Sequence, residues 1–126
     1  MPVADLELDA LTERVIGCGI EVHRTLGPGL LESVYRDCLV IELRGEGLRV
    51  QRECPVRVVY KGQPVGGNLK IDLLINDRVI VEVKTVERIH PVFQAQVMTY
   101  LKLTGCPAGL LMNFNTTSLR AGLKAQ

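Results

Sequence analysis

Tryptophan is absent from the chain, and two phenylalanines and three tyrosines are its only large aromatics. So few rings leave little obvious surface on which a nucleic-acid strand could stack its bases. A charge excess is missing as well: 15 Lys and Arg stand against 14 Asp and Glu, for a formal net charge of +1. A protein held on nucleic acid by charge alone carries a clear basic excess, so any phosphate-binding role here must rest on a local site, a metal or a partner. Cys18, Cys38, Cys54 and Cys106 are far apart, with no C-x-x-C pair and no clustered histidines. That spacing supports neither a zinc site nor a redox pair and leaves buried free thiols in a reducing compartment. No apolar run approaches membrane-spanning length, and the start Met1-Pro-Val-Ala-Asp-Leu-Glu7 is acidic where a signal peptide is basic. These absences make a soluble, cytoplasmic protein the expectation. Gly62 and Gly67 have P-loop spacing, but Asn68 replaces the lysine and no helix follows; Ser33 and Ser118 have no nucleophile-elbow context.

What is present fits one globular domain over residues 1–126: 47% of residues are hydrophobic and 23% charged. A chain of this length buries enough surface to fold without a disulfide or metal staple. Between Leu8 and Leu26, apolar residues recur at helical spacing, and Gly27-Pro28-Gly29 breaks the backbone. A second helix is expected from about Leu30 to Arg44, closed by Gly45 and Gly47. The middle third reads as strands: Val56, Val58 and Tyr60 alternate, Lys61-Gly62 turns, and Gly66-Gly67 breaks. Two strong strands follow, about Leu69–Ile75 and Val79–Lys84, joined through Asn76-Asp77-Arg78. A third helix covers about Val92–Thr104, stopped by Gly105 and Pro107, then a strand at Ala108–Phe114 and an edge strand at Ser118–Lys124. The order predicts an α/β fold: a mixed central sheet flanked by helices, two of them N-terminal and one after the strong hairpin.

That hairpin carries the chemistry. Side chains alternate across a strand, so Glu82 and Lys84 share one face while Val81 and Val83 share the other. A two-residue turn would set Asp72 against Val81, among aliphatic side chains. A three-residue turn at Asn76–Arg78 sets it against Glu82. The three-residue register also collects Leu69, Ile71, Leu73, Ile75, Val79, Val81 and Val83 on one apolar face, and the alternative buries a carboxylate at several kcal/mol. Opposed carboxylates repel, and the arrangement persists where something positive sits between them: Lys84, a hard divalent cation held by oxygens, or both. A plain solvated polar face explains the hairpin alone equally well. Glu32 and Tyr35 share a face of the second helix, and Gln96 and Tyr100 share a face of the third. The third helix's stripe of Phe93, Val97, Tyr100 and Leu101 turns Gln96 toward the sheet, where it needs a polar partner or lies at the stripe's solvated border.

The run Gly29-Leu-Leu-Glu32-Ser-Val-Tyr35 resembles the motif that names the GxxExxY proteins, as does the segment Ile20–Gly29 leading into it. Asp72 followed by Glu82-Val83-Lys84 resembles the D…ExK core of the PD-(D/E)XK nuclease superfamily, and Gln96-Val-Met-Thr-Tyr100 is similar to the Q-x-x-x-Y element of its RecB-like branch. The order and spacing of these motifs, from about Leu8 to Phe114, are more specific than any one of them; the tail after Phe114 adds no match. The resemblance implies a restriction-endonuclease-like fold. It also implies a site of Asp72, Glu82 and Lys84 that binds Mg²⁺ or Mn²⁺, with Glu32 as a further carboxylate.

On that reading the chain hydrolyses phosphodiester bonds of nucleic acid, with DNA favoured. Asp72, Glu82, Glu32 and the Val83 backbone carbonyl hold one or two ions, which activate a water. Lys84 orients that water or stabilises transition-state charge, while Gln96 and Tyr100 position the backbone or the lysine. Two other readings stay open: a non-catalytic binding or assembly module on the same fold, acting as a homodimer or within a larger nuclease or repair assembly, and acid–base work by Glu32 and Glu82 on a small molecule. For His23 and Arg24, the dipole of the first helix's C-terminus is role enough. His90 is expected in a loop near the site's end of the strand, facing solvent or a substrate, and the Glu87–Arg88 pair in a solvated loop.

Overall fold

The computed structural model describes residues 6–126, so most of the acidic start lies outside the described residues. Helix α1 spans Leu8–Leu26 and buries Leu11, Val15, Cys18 and Val22, four turns of one face. Gly27, at φ +67°, ends it, and its N–H donates to the His23 carbonyl. Helix α2 covers Glu32–Gly45. It begins two residues later than the apolar pattern suggests because Gly29 is at φ +103° and Leu31 is still extended. Its end is tied by Leu48 N–H to the Leu43 carbonyl, with Gly47 in the left-handed region, the 6→1 closure glycine favours.

Strands β1 (Val50–Pro55), β4 (Lys70–Ile75), β5 (Val79–Lys84), β6 (Ala108–Asn113) and β7 (Leu123–Ala125) form one mixed sheet in the order β1-β4-β5-β6-β7. Short strands β2 (Val58–Tyr60) and β3 (Gln63–Val65) make a separate ribbon. Among the described residues only β5 and β6 pair in parallel; the crossover such a pair requires is helix α3 (Pro91–Thr104). Pairing of Ile75 with Val79, Leu74 with Ile80 and Leu73 with Val81 is the register of the three-residue loop. Asn76 and Asp77 both take positive φ there, and the buried Asn76 side chain accepts the Arg49 N–H.

The sheet separates two apolar layers. The larger holds α1 and α2 against Leu73, Ile75, Val79, Val81, Val83, Leu110 and Met112; the smaller joins Val56, Ile71, Ile80 and Tyr100. The four cysteines are free, and burial pushes the Cys18 thiol up to about 11. Three expectations need correction. Leu69 is exposed and Ile71 lies in the smaller layer, so neither extends the apolar face of Leu73. Glu53, which lies between the β1 residues that pair with Leu73 and Ile71, sits at φ +49°, in the left-handed region, while the pairing register is the same on both sides of it. Strand β1 has no apolar signal in the sequence, since its Gln51, Arg52 and Glu53 are all exposed and show no alternation. The C-terminal segment is a 3₁₀ turn (Leu119–Gly122) followed by only three residues of edge strand, because Leu119 must turn inward to pack on the core.

Two glycines give the packing a test of opposite sign. A Cβ on Gly109 of β6 would lie 2.6 Å from Val97 Cγ1 of α3, whereas one on Gly17 of α1 meets nothing within 4 Å. We expect Gly109→Ala to destabilise by about 1–3 kcal/mol through overpacking and Gly17→Ala to stabilise by about 0.5–1 kcal/mol through chain entropy, read as opposite shifts of the urea midpoint.

Candidate active site

The β4–β5 ladder ends at the Leu73–Val81 pair, and side chains take over one residue further on. Glu82 Oε2 accepts the Asp72 N–H at 2.7 Å, and Asp72 Oδ2 accepts the Val83 N–H at 2.9 Å. Each carboxylate thus satisfies a main-chain donor beside the other, which holds both in place where the strands part. Glu82 is only 4% exposed, and Asp72 is half-buried. Burial, and then the neighbouring Asp72 charge, push the Glu82 carboxyl up to about 7.

The nearest cation is Arg36, which no motif in the sequence marks. Arg36 of α2 reaches over the sheet: its Nη2 donates to Glu32 Oε2 at 3.0 Å, and its Nε lies 3.9 Å from Asp72 Oδ1. That Nε is buried without a hydrogen-bond partner. Glu32 therefore joins the site through Arg36, and among the described residues no three His, Cys, Asp or Glu side chains converge as a ready metal cage. In sequence, Arg36 looks like half of an ordinary i,i+4 surface pair with Glu32; only the packing of α2 shows that it faces Asp72.

Lys84, at the end of β5, does not lie between the carboxylates as an ion-pair partner. Its Nζ sits 4.6 Å from the centre of the Phe93 ring of α3, a cation–π contact, and its charge acts on Glu82 from there. Tyr100 is buried on the α3 side. Burial, then the charges of Glu82 and Asp72, push its phenol up, and the Gln96 amide acts in the opposite direction. Gln96 itself is half-buried on the same helix. Val83 lies beyond the last β4–β5 rung, with its N–H taken by Asp72.

The remaining candidates have structural roles. Tyr35 is fully buried, stacks on Phe114 at 4.7 Å between ring centres, donates to the Gly27 carbonyl and accepts the Leu30 N–H. It ties down the loop that delivers Glu32. His23 is buried with Nε2 2.8 Å from the Thr116 carbonyl, Arg24 pairs with Glu21, and His90 caps α3 by accepting the Val92 N–H.

The donor set suits a hard divalent cation. Asp72 and Glu82 offer oxygen atoms side by side, and each keeps one oxygen outside the main-chain hydrogen bonds described above. Burial with a like-charged neighbour leaves Glu82 holding its proton near neutrality, a condition that a cation relieves.

The proton has a measurable consequence. Because the folded pKa of Glu82 exceeds the ordinary value of 4.5, the folded chain holds a proton that the unfolded chain has released, and stability falls as pH rises from about 4.5 to about 7. Without divalent ions, thermal unfolding should show this slope, worth on the order of 3 kcal/mol. Glu82→Gln should remove it, and Arg36→Met should move its upper end to higher pH, since the Arg36 charge holds the carboxyl down.

A search among curated proteins and a search among solved structures each gave no significant match. The family model described as the PD-(D/E)XK nuclease superfamily matches residues 9–125, including the tail in which the sequence motifs had found no correspondence. Nucleases of this superfamily generally use divalent metal ions. With three helices and a five-stranded mixed sheet among the described residues and a family match over nearly its whole length, the chain belongs to the PD-(D/E)XK nuclease superfamily and has its restriction-endonuclease-like α/β fold.

Proposed function

We propose that the protein is a Mg²⁺- or Mn²⁺-dependent nuclease that hydrolyses phosphodiester bonds of DNA, a cytoplasmic member of the GxxExxY family in the RecB-like branch. The observation that carries this reading is the paired insertion of Asp72 and Glu82 where the β4–β5 ladder opens. The hydrogen bonds that fix the two carboxylates come from main-chain donors, Arg36 stands 3.9 Å from Asp72, and no cation is in direct contact with Glu82 among the described ion pairs. Asp72, Glu82 and the Val83 carbonyl would hold the ion, with Glu32 brought near through Arg36. When bound, the ion supplies positive charge that offsets the carboxylates' repulsion of a phosphate and acidifies water.

The other residues act around that charge. Glu82 would hold the ion as a carboxylate, its proton passing to solvent, so binding would be favoured above neutral pH. Lys84 offers an ammonium group at the open end of β5, where it can meet charge developing on the phosphate. Phe93 holds the lysine stem and head against α3 in the meantime. Tyr100 and Gln96 wall the α3 side and limit water at the carboxylates.

Purified protein incubated with Mg²⁺ or Mn²⁺ should cleave DNA, and Asp72→Asn and Glu82→Ala should each lower the rate at least about 100-fold. Mn²⁺ should raise the melting temperature of wild type but not of Asp72→Asn. Ion-independent melting together with no cleavage of any DNA or RNA would leave the non-catalytic module as the correct account.

A further inference from the structure

The near-neutral balance of the whole chain conceals one strongly one-sided segment. From Pro55 to Lys70 there is no Asp or Glu, while Arg57, Lys61 and Lys70 are all present and all exposed. This segment is the β2–β3 ribbon with its two stems. It leaves the sheet at the Pro55–Lys70 pair and the Val56 N–H to Leu69 carbonyl bond, two residues from Asp72. The N-terminal end of β4 and the C-terminal end of β5 are the same end of an antiparallel pair, so the ribbon and the carboxylates share one end of the sheet.

The tip is built at a conformational cost. Tyr60 pairs with Gln63 around Lys61-Gly62, and both turn residues have positive φ, +48° and +79°. A turn of this kind favours Asn or Asp before the glycine, yet a lysine occupies that position. Its Nζ lies 5.5 Å from the centre of the Tyr60 ring, and that ring is 63% exposed. A cation and an aromatic face thus stand together at the end of an arm with no carboxylate of its own.

Resting on the nuclease reading, we propose that the β2–β3 ribbon is a nucleic-acid-gripping arm. Arg57, Lys61 and Lys70 contact backbone phosphates, and Tyr60 packs on a base or sugar of the strand led to Asp72 and Glu82. Six residues from Val56 to Lys61 reach at most ~20 Å, the axial length of about six nucleotides in duplex. Grip by this arm reconciles a phosphodiester substrate with a net charge of only +1.

The test is fluorescence anisotropy with labelled 20-nucleotide single-stranded DNA, single-stranded RNA and duplex DNA, without divalent ion so that nothing is cleaved. The arm variant is Arg57→Gln/Lys61→Asn/Lys70→Gln, in which asparagine suits the turn better than lysine, so lost binding cannot be assigned to a lost ribbon. The control variant, Arg14→Gln/Arg49→Gln/Lys102→Gln, removes the same charge elsewhere. The arm variant should bind at least about 10-fold more weakly, and its log–log salt slope should be shallower by roughly 2–3, while the control stays within about 2-fold of wild type. Tyr60→Ala should weaken single-strand binding about 5- to 100-fold. Equal losses in the arm and control variants, no loss in the arm variant, or equally tight wild-type binding to a polyglutamate of matched length would each overturn the arm. Wild-type protein that binds none of the three oligonucleotides would overturn the nuclease reading along with it.

Discussion

Two carboxylates occupy the place of two backbone hydrogen bonds. Where β4 and β5 would otherwise continue their ladder, Glu82 accepts the Asp72 N–H and Asp72 accepts the Val83 N–H. The exchange is reciprocal, so neither side chain can leave without orphaning a main-chain donor in a partly buried position. It also places like charges together in a poorly solvated spot, and the raised Glu82 pKa follows from that. The rest of the architecture serves this opening: the parallel β5–β6 pair supports the strand that bears Glu82, α3 covers one side, and α2 lays Arg36 and Glu32 over the other.

Arg36 gives the site a cation of its own. Its guanidinium is close enough to Asp72 to moderate the repulsion, yet at 3.9 Å it is not hydrogen-bonded, and its buried Nε has no acceptor. Such a contact leaves Asp72 free to serve another positive partner, whereas a tight bidentate pair would commit it. Lys84 is likewise present without being consumed, resting on an aromatic ring instead of a carboxylate. Both cations stay at the edge of the acidic pair.

Much of this was legible in the residues, for definite reasons. The alternating valines of β5 and the Asn76-Asp77-Arg78 loop fixed the register, because only one parity keeps Asp72 out of the aliphatic layer. Helices α1 and α3 follow from apolar spacing and glycine stops. Other features depend on tertiary placement. Parity says which face Lys84 takes but not that Phe93 attracts its head. Periodicity cannot report that Ile71 joins the smaller layer with Ile80 and Tyr100. Strand β1 is mostly solvent-facing, so it lacks the apolar signal by which strands are recognised.

Asn113 shows how far the geometry is distributed. Its buried side chain accepts the Val86 N–H and donates to the Val86 carbonyl, and it also accepts the Asn115 N–H, while the next residue's N–H reaches the Lys84 carbonyl. One amide near the carboxyl end therefore staples the exit of β5 to the exit of β6. Asn113 and Phe114 thus brace the segment from which Lys84 emerges, although neither belongs to the hairpin that carries it.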